Sequence, residues 1–264
     1  MASNEILVEK KEGVAVVTLN RPERFNALTA SMLRRFPEIF DQLRRDDGVK
    51  AVILTGTGKG FCAGADVFER LADRLEKGDE GSRFEHLQQV GAMALNIADF
   101  DKPLIGAING VAAGGGLSIA LLCDIRLASD NARFTAVWLN IGLIADVGAT
   151  YYLPRIVGRE KAFELMLTGE IVGADEALKI GLVSKIFPHD QLMDEARKLA
   201  KSIAVGPSVA VELTKRGLQR SLANDLKTQL DYESYAQNIC RQTEDHKEGI
   251  RAFAEKRKPV FSGK

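Results

Sequence analysis

The sequence predicts an α/β fold. Three observations carry that reading. Short apolar runs of strand character alternate with amphipathic helical stretches up to about residue 190. Three consecutive glycines, Gly114-Gly115-Gly116, join an apolar strand at 103–108 to an apolar helix at 115–122. From residue 191 onward the pattern is helical throughout, with one charged face.

The elements follow in order. Residues 6–9 and 14–19 form a hairpin, joined by Lys10-Lys11-Glu12-Gly13. A helix follows with Thr29 as its N-cap. Met32, Leu33, Phe36, Ile39, Phe40 and Leu43 recur at helical spacing on it, and Pro37 is expected to kink it by removing a hydrogen bond and clashing with the preceding turn. Residues 50–55 are a buried strand, followed by a glycine-rich loop at 56–66. That loop is neither a Walker motif, because Gly60 follows Lys59, nor a dinucleotide motif, because Phe61 stands at its third glycine. The charged stretch 70–83 reads as a mobile loop or lid, and 84–98 as a helix.

After the glycine junction come a strand at 124–128 and short extended structure at 132–140. A helix at 147–153 follows, with Asp146 as its cap. Shorter elements lie near 160–168, 171, 175 and 183–187. Helices at 191–204, 207–220, 224–240 and 244–256 complete the chain. The expected division is a core over 1–190 and a helical region over 191–264 that packs on the core or on another subunit.

The glycine junction carries the first chemical expectation. The leading amides of a helix have no partner within it and stand at the positive end of its dipole. Glycines let a ligand approach that bare backbone closely, so the junction suits a partial or full negative charge. A close helix–sheet contact explains the same glycines without any ligand.

Composition narrows the alternatives. Of 264 residues, 36 are basic and 36 acidic, so no polyanion such as nucleic acid is expected as a partner. No apolar run is long enough for a membrane span, and the charged start lacks the apolar segment of a signal peptide. Cys62, Cys123 and Cys240 are widely spaced, as are His86, His189 and His246. Neither a disulfide framework nor a metal site is expected, and the cytoplasm is the expected compartment.

Five stretches, in order along the chain, resemble the crotonase superfamily, also called the enoyl-CoA hydratase/isomerase family. They are residues 20–28, residues 60–66 with Ala63-Gly64-Ala65-Asp66, residues 108–116, residues 141–148 with Asp146, and residues 249–257. The resemblance implies a spiral of ββα repeats. It implies a helical C-terminal region that builds a homotrimer or a dimer of trimers. It further implies an acyl-CoA thioester as substrate, with coenzyme A entering as part of it and no separate cofactor. In such enzymes two backbone amides form an oxyanion hole, which the resemblance maps to Ala63 and Gly115. Arg24, Ala63, Gly64, Ala65 and Asp66 are implied as CoA contacts, with Phe253 and Lys256 reaching the CoA from the C-terminal region. Fixed amides aimed at the thioester oxygen stabilise an enolate, and one such donor is worth ~2.7–4 kcal/mol.

The reaction is the open part. At the two positions where the family's hydratases carry glutamates, this chain has Ser118 and Trp138, neither of which is a carboxylate. Asp146 is the carboxylate remaining in that neighbourhood. The resemblance makes it a proton shuttle, as in dienoyl-CoA isomerases and the ring-opening isomerases of phenylacetate breakdown, or a nucleophile, as in 4-chlorobenzoyl-CoA dehalogenases. The dehalogenases share the Trp138–Asp146 pair but carry a histidine where Gly91 stands, and His86 is more than a turn away. The expectation is an isomerase with Asp146 as acid/base. Hydration, dehalogenase-like hydrolysis and a non-catalytic acyl-CoA-binding subunit are the alternatives. Phe68 and Trp138 are expected to help shape the acyl pocket.

Overall fold

The computed structural model describes residues 4–67 and 79–264, with side chains from residue 88 in the second segment. A hairpin, β1 (Ile6–Lys11) and β2 (Val14–Leu19), opens the chain. Helix α1 (Ala30–Arg45) runs unbroken through Pro37, and Thr29 Oγ1 accepts from Met32 N at 3.0 Å at its start, as the sequence predicts. Its apolar stripe, Met32 to Leu43, is buried.

The centre of the chain repeats a strand–strand–helix unit. Strands β3 (Ala51–Gly56), β5 (Leu104–Ile108) and β7 (Ile125–Ser129) lie parallel and side by side in a six-stranded sheet of order β1-β2-β3-β5-β7-β10. Their followers β4 (Gly60–Cys62), β6 (Val111–Ala113) and β8 (Arg133–Thr135) lie side by side in a second sheet, closed by β9 (Ile171–Gly173). Helices α2 (Asp79–Ala98), α3 (Gly115–Leu122) and α4 (Ala149–Val157) succeed the three units, giving the ββα spiral. Parallel neighbours leave a sheet at the same end, so the segments after β4, β6 and β8 are delivered to one place.

Helices α5 (Arg159–Thr168) and α6 (Ala174–Lys179) and strand β10 (Lys185–Phe187) lead to the C-terminal helices. Leu192, Ala196 and Ala200 of α7 (Leu192–Ala204) cover one face of the six-stranded sheet, against Val16, Ile53 and Ala107. The other face is buried in the main core with α1 and α2. Helices α8 (Ser208–Ser221), α9 (Leu226–Arg241) and α10 (Glu244–Ala254) complete the chain. Lys215 fastens α8 to the core, donating to Lys102 O at 2.9 Å and pairing with Asp124 at 2.7 Å.

Two expectations are corrected. Residues 79–83, the end of the stretch read as a loop or lid, are helical; its earlier part, with Phe68, lies outside the described residues. Asp146 does not cap α4: that helix begins at Ala149 behind Gly148, with no side-chain cap. Among the described residues no helix is long and apolar enough to cross a membrane.

Candidate active site

Three segments meet at the shared end of β4, β6 and β8. The first is 63–66. The Ala63 N–H donates to Phe25 O at 2.9 Å, which corrects the expectation that it serves an oxyanion. Next to it, Leu28 and Ala65 form a parallel bridge in which Leu28 N donates to Gly64 O and Asp66 N donates to Leu28 O. Such a bridge leaves the central residue's own N–H on the opposite side. The Ala65 amide meets no acceptor among the described residues, and the residue is partly exposed.

The second segment is the glycine junction. Gly114 lies at φ +50° and opens α3, whose Gly115 N–H also meets no acceptor among the described residues. A Cβ on Gly64 would stand 3.2 Å from Gly115 N, so the two loops touch. A Cβ on Gly116 would stand 2.0 Å from Cys62 O, and none can be tolerated there. The run of glycines thus lets the start of α3 lie directly on the β4 backbone. It sets the Gly115 amide against the loop that carries Ala65, and both residues are partly exposed.

The third segment runs from β8 through a 3-10 turn, Val137–Ile141, to Asp146. Trp138 is 5% exposed, and its Nε1 donates to Asp146 Oδ1 at 2.9 Å. The same Nε1 lies 3.9 Å from where a Cβ on Gly114 would stand, which sets the carboxylate beside the junction. Ser118, fully buried on α3, donates its hydroxyl to Asp146 O at 2.9 Å. Asp146 and Trp138 therefore stand beside the glycine junction, and of Ala63 and Ala65 it is Ala65 whose amide lacks an acceptor among the described residues.

Other expected site residues have different surroundings. The Asp66 carboxylate is buried and paired with Arg21 at 2.9 Å. Arg24 is exposed, beside the left-handed pair Phe25 and Asn26. Phe253, 88% exposed on α10, borders a separate cavity of about 380 Å³ with Pro207, Cys240 and Phe261. Lys256 follows the same helix, exposed, at φ +55°. The Gly91 position is exposed on α2, and the His86 side chain lies outside the described residues. Burial pushes the Cys62 thiol up to about 12, so it stays protonated and is no nucleophile.

Two scaffold residues carry the first loop. Asn26, fully buried, donates to Thr57 O at 3.0 Å and Gly60 O at 2.7 Å and accepts from Arg21 N at 2.8 Å. Asn109 donates to Gly58 O and Gly60 O and accepts from Gly56 N. Asn109 directly follows the apolar strand β5, and a lone polar residue there is the sequence's signal for such a role.

The family model described as enoyl-CoA hydratase/isomerase matches residues 9–264. The chain belongs to the enoyl-CoA hydratase/isomerase family. Similar proteins include the short-chain-enoyl-CoA hydratase of Clostridium acetobutylicum, 41% identical over 98% of this chain and 97% of its own. The 1,2-epoxyphenylacetyl-CoA isomerase of Escherichia coli is 38% identical over 98% of both. Among solved structures, an enoyl-CoA hydratase from Bacillus anthracis superposes with a TM-score of 0.93 at 33% identity, covering 99% of this chain and all of that one. The crotonase fold expected from the family's motifs is therefore the fold of this member, whereas its relatives carry hydratase and isomerase names alike.

Proposed function

We propose that this family member isomerises the double bond of an enoyl-CoA, with Asp146 as the single acid/base. The observation that carries this reading is the Trp138–Asp146 hydrogen bond beside the glycine junction. One carboxylate oxygen is held by the indole, leaving the other to take a proton. The amides of Ala65 and Gly115 receive the thioester oxygen. Asp146 removes a proton from the carbon next to the carbonyl, and the electron pair moves onto that oxygen as an enolate. The same carboxyl returns the proton further along the chain, so substrate and product have the same composition. Ser118 and Trp138 support a one-carboxylate mechanism because both direct their donors at Asp146 rather than at a second acid.

Coenzyme A enters as part of the substrate, and no other cofactor is invoked. The chain acts as a trimer or a dimer of trimers in this reading. Exposed apolar side chains on α8 to α10 support self-association, including Leu218, Leu226, Tyr235, Ile250 and Phe253. Sedimentation or light scattering reads the assembly directly. CoA contacts by Arg24, Phe253 and Lys256 belong to the same proposal.

The test is incubation of a 3-enoyl-CoA with the enzyme in deuterated water. Conjugated thioester carrying deuterium is expected, and Asp146→Asn abolishes its formation. A second reading, hydration, draws on the relatives named hydratases. Crotonyl-CoA losing its conjugated absorbance, with no isomerisation of the 3-enoyl ester, would decide for it.

A further inference from the structure

We infer that Ser118 is a positioning residue, whose hydroxyl clamps a strained turn so that the Asp146 carboxylate stands at a fixed place relative to the Gly115 amide. The inference rests on the reading of Asp146 as the acid/base. It concerns a group that touches neither substrate nor the reacting atoms.

Residues 146–149 form a tight turn closed by Ala149 N donating to Asp146 O at 3.0 Å. Both central residues have positive φ, +51° at Val147 and +80° at Gly148, the signature of a type I′ turn. Glycine adopts that conformation freely, whereas a β-branched residue does not. Such backbone persists only where the surroundings hold it in place.

Two kinds of contact do so here. Val147 is 7% exposed and packed into the main core, which holds its side chain. The Ser118 hydroxyl reaches the turn's backbone from α3. It has two acceptors within reach, Asp146 O at 2.9 Å and Gly114 O of its own helix at 3.5 Å, and a single proton to give. The shorter bond goes to the Asp146 carbonyl. That carbonyl therefore accepts twice, from Ala149 within the turn and from Ser118 outside it.

The placement of Ser118 gives this bond its consequence. It lies three residues into the helix whose first amide is Gly115. One short, rigid helix thus presents the amide and grips the segment that bears the carboxylate. Trp138 fixes the carboxylate itself, so Asp146 is held at backbone and side chain. Displacement of a reacting group by about 1 Å can cost a hundredfold in rate, so losing either anchor falls on the chemical step.

The experiment compares Ser118→Ala and Ser118→Cys with the parent enzyme, reading kcat and KM for 3-enoyl-CoA, exchange of the substrate proton with deuterated water, and thermal melting. In Ser118→Ala the Asp146 carbonyl keeps its Ala149 bond and one oxygen is lost, so the fold is retained. In Ser118→Cys a weaker donor replaces the hydroxyl on a slightly larger side chain. Both variants are expected to lose about tenfold or more in kcat and exchange, with KM within about twofold. Either variant keeping parental kcat overturns the inference. So does loss of folded protein in both, or KM rising with kcat unchanged. Asp146→Asn is measured alongside: exchange surviving there removes the reading of Asp146, whereas exchange lost there but intact in the serine variants removes only the clamp.

Discussion

The indole of Trp138 and the carboxylate of Asp146 are eight residues apart and joined by a 2.9 Å hydrogen bond, both beside the first glycine of the α3 junction. A hydrogen bond to a charged group contributes about 1.5–3 kcal/mol. Trp138→Phe keeps most of the buried ring and removes the donor. A fall in kcat of about ten- to hundredfold is expected, with a smaller change in KM, in the isomerisation assay. Trp138 is also the one tryptophan in the sequence, so its emission should shift when an acyl-CoA binds. Full activity in Trp138→Phe would show that the carboxylate does not need this donor.

Two glycines test whether the junction is a close contact or ordinary helix. At Gly116 an added methyl would meet Cys62 O at 2.0 Å and its carbonyl carbon at 2.6 Å, both backbone. Gly116→Ala must separate α3 from β4 and draw the Gly115 amide away from Ala65. Activity is expected to fall by at least a hundredfold, with a lower melting temperature. At Gly91, exposed within α2, nothing lies within 4 Å of a new Cβ. Gly91→Ala should stabilise the protein by about 0.5–1 kcal/mol and leave kcat unchanged. Denaturant unfolding and the isomerisation assay read both variants.

Asn26 is wholly buried, lies at φ +58°, and makes three hydrogen bonds to the backbone of 21, 57 and 60. Asn26→Ala strands those groups and places a residue ill suited to left-handed backbone there. A loss of about 2–4 kcal/mol is expected from unsatisfied buried groups and strain. Because the loop it holds carries Ala65, activity should fall further than the loss of folded protein explains. Equal melting temperatures for Asn26→Ala and the parent would overturn the assignment.

What the sequence made legible was local. Helix α3 begins at Gly115 and ends at Leu122, as the glycine run and the apolar stretch indicate. Thr29 caps α1 because its side chain needs only residues three positions on. The C-terminal helices fall close to their apolar periodicity. What was illegible depends on contacts far along the chain. An Asp ahead of a helix reads as a cap, but donors from Ser118 and Trp138 claim Asp146, and Gly148 takes the helix start. Which amide of Ala63 and Ala65 remains available turns on the carbonyl of Phe25, more than 35 residues earlier. The helical state of residues 79–83 was hidden by Gly81 and a dense run of charges, which resemble a loop in composition.

Glu212 on α8 gives a pH-dependent prediction outside the site. Burial pushes its carboxyl above the usual 4.5, and the Asp101 carboxylate adds to that, while Lys102, Lys50 and Arg216 oppose it. A raised pKa means that the folded protein holds this proton more firmly than the unfolded chain. Stability therefore declines as pH rises from about 4.5 through the higher folded value, and the full penalty is present above it. Glu212→Gln removes the charge while keeping shape and the stem's packing. Its melting temperature should exceed the parent's at pH 8, and the difference should shrink toward zero near pH 4, where both states of the parent are protonated. A difference that is constant with pH would mean that the glutamine acts through packing. A lower melting temperature at pH 8 would mean that attraction to the neighbouring lysines outweighs burial.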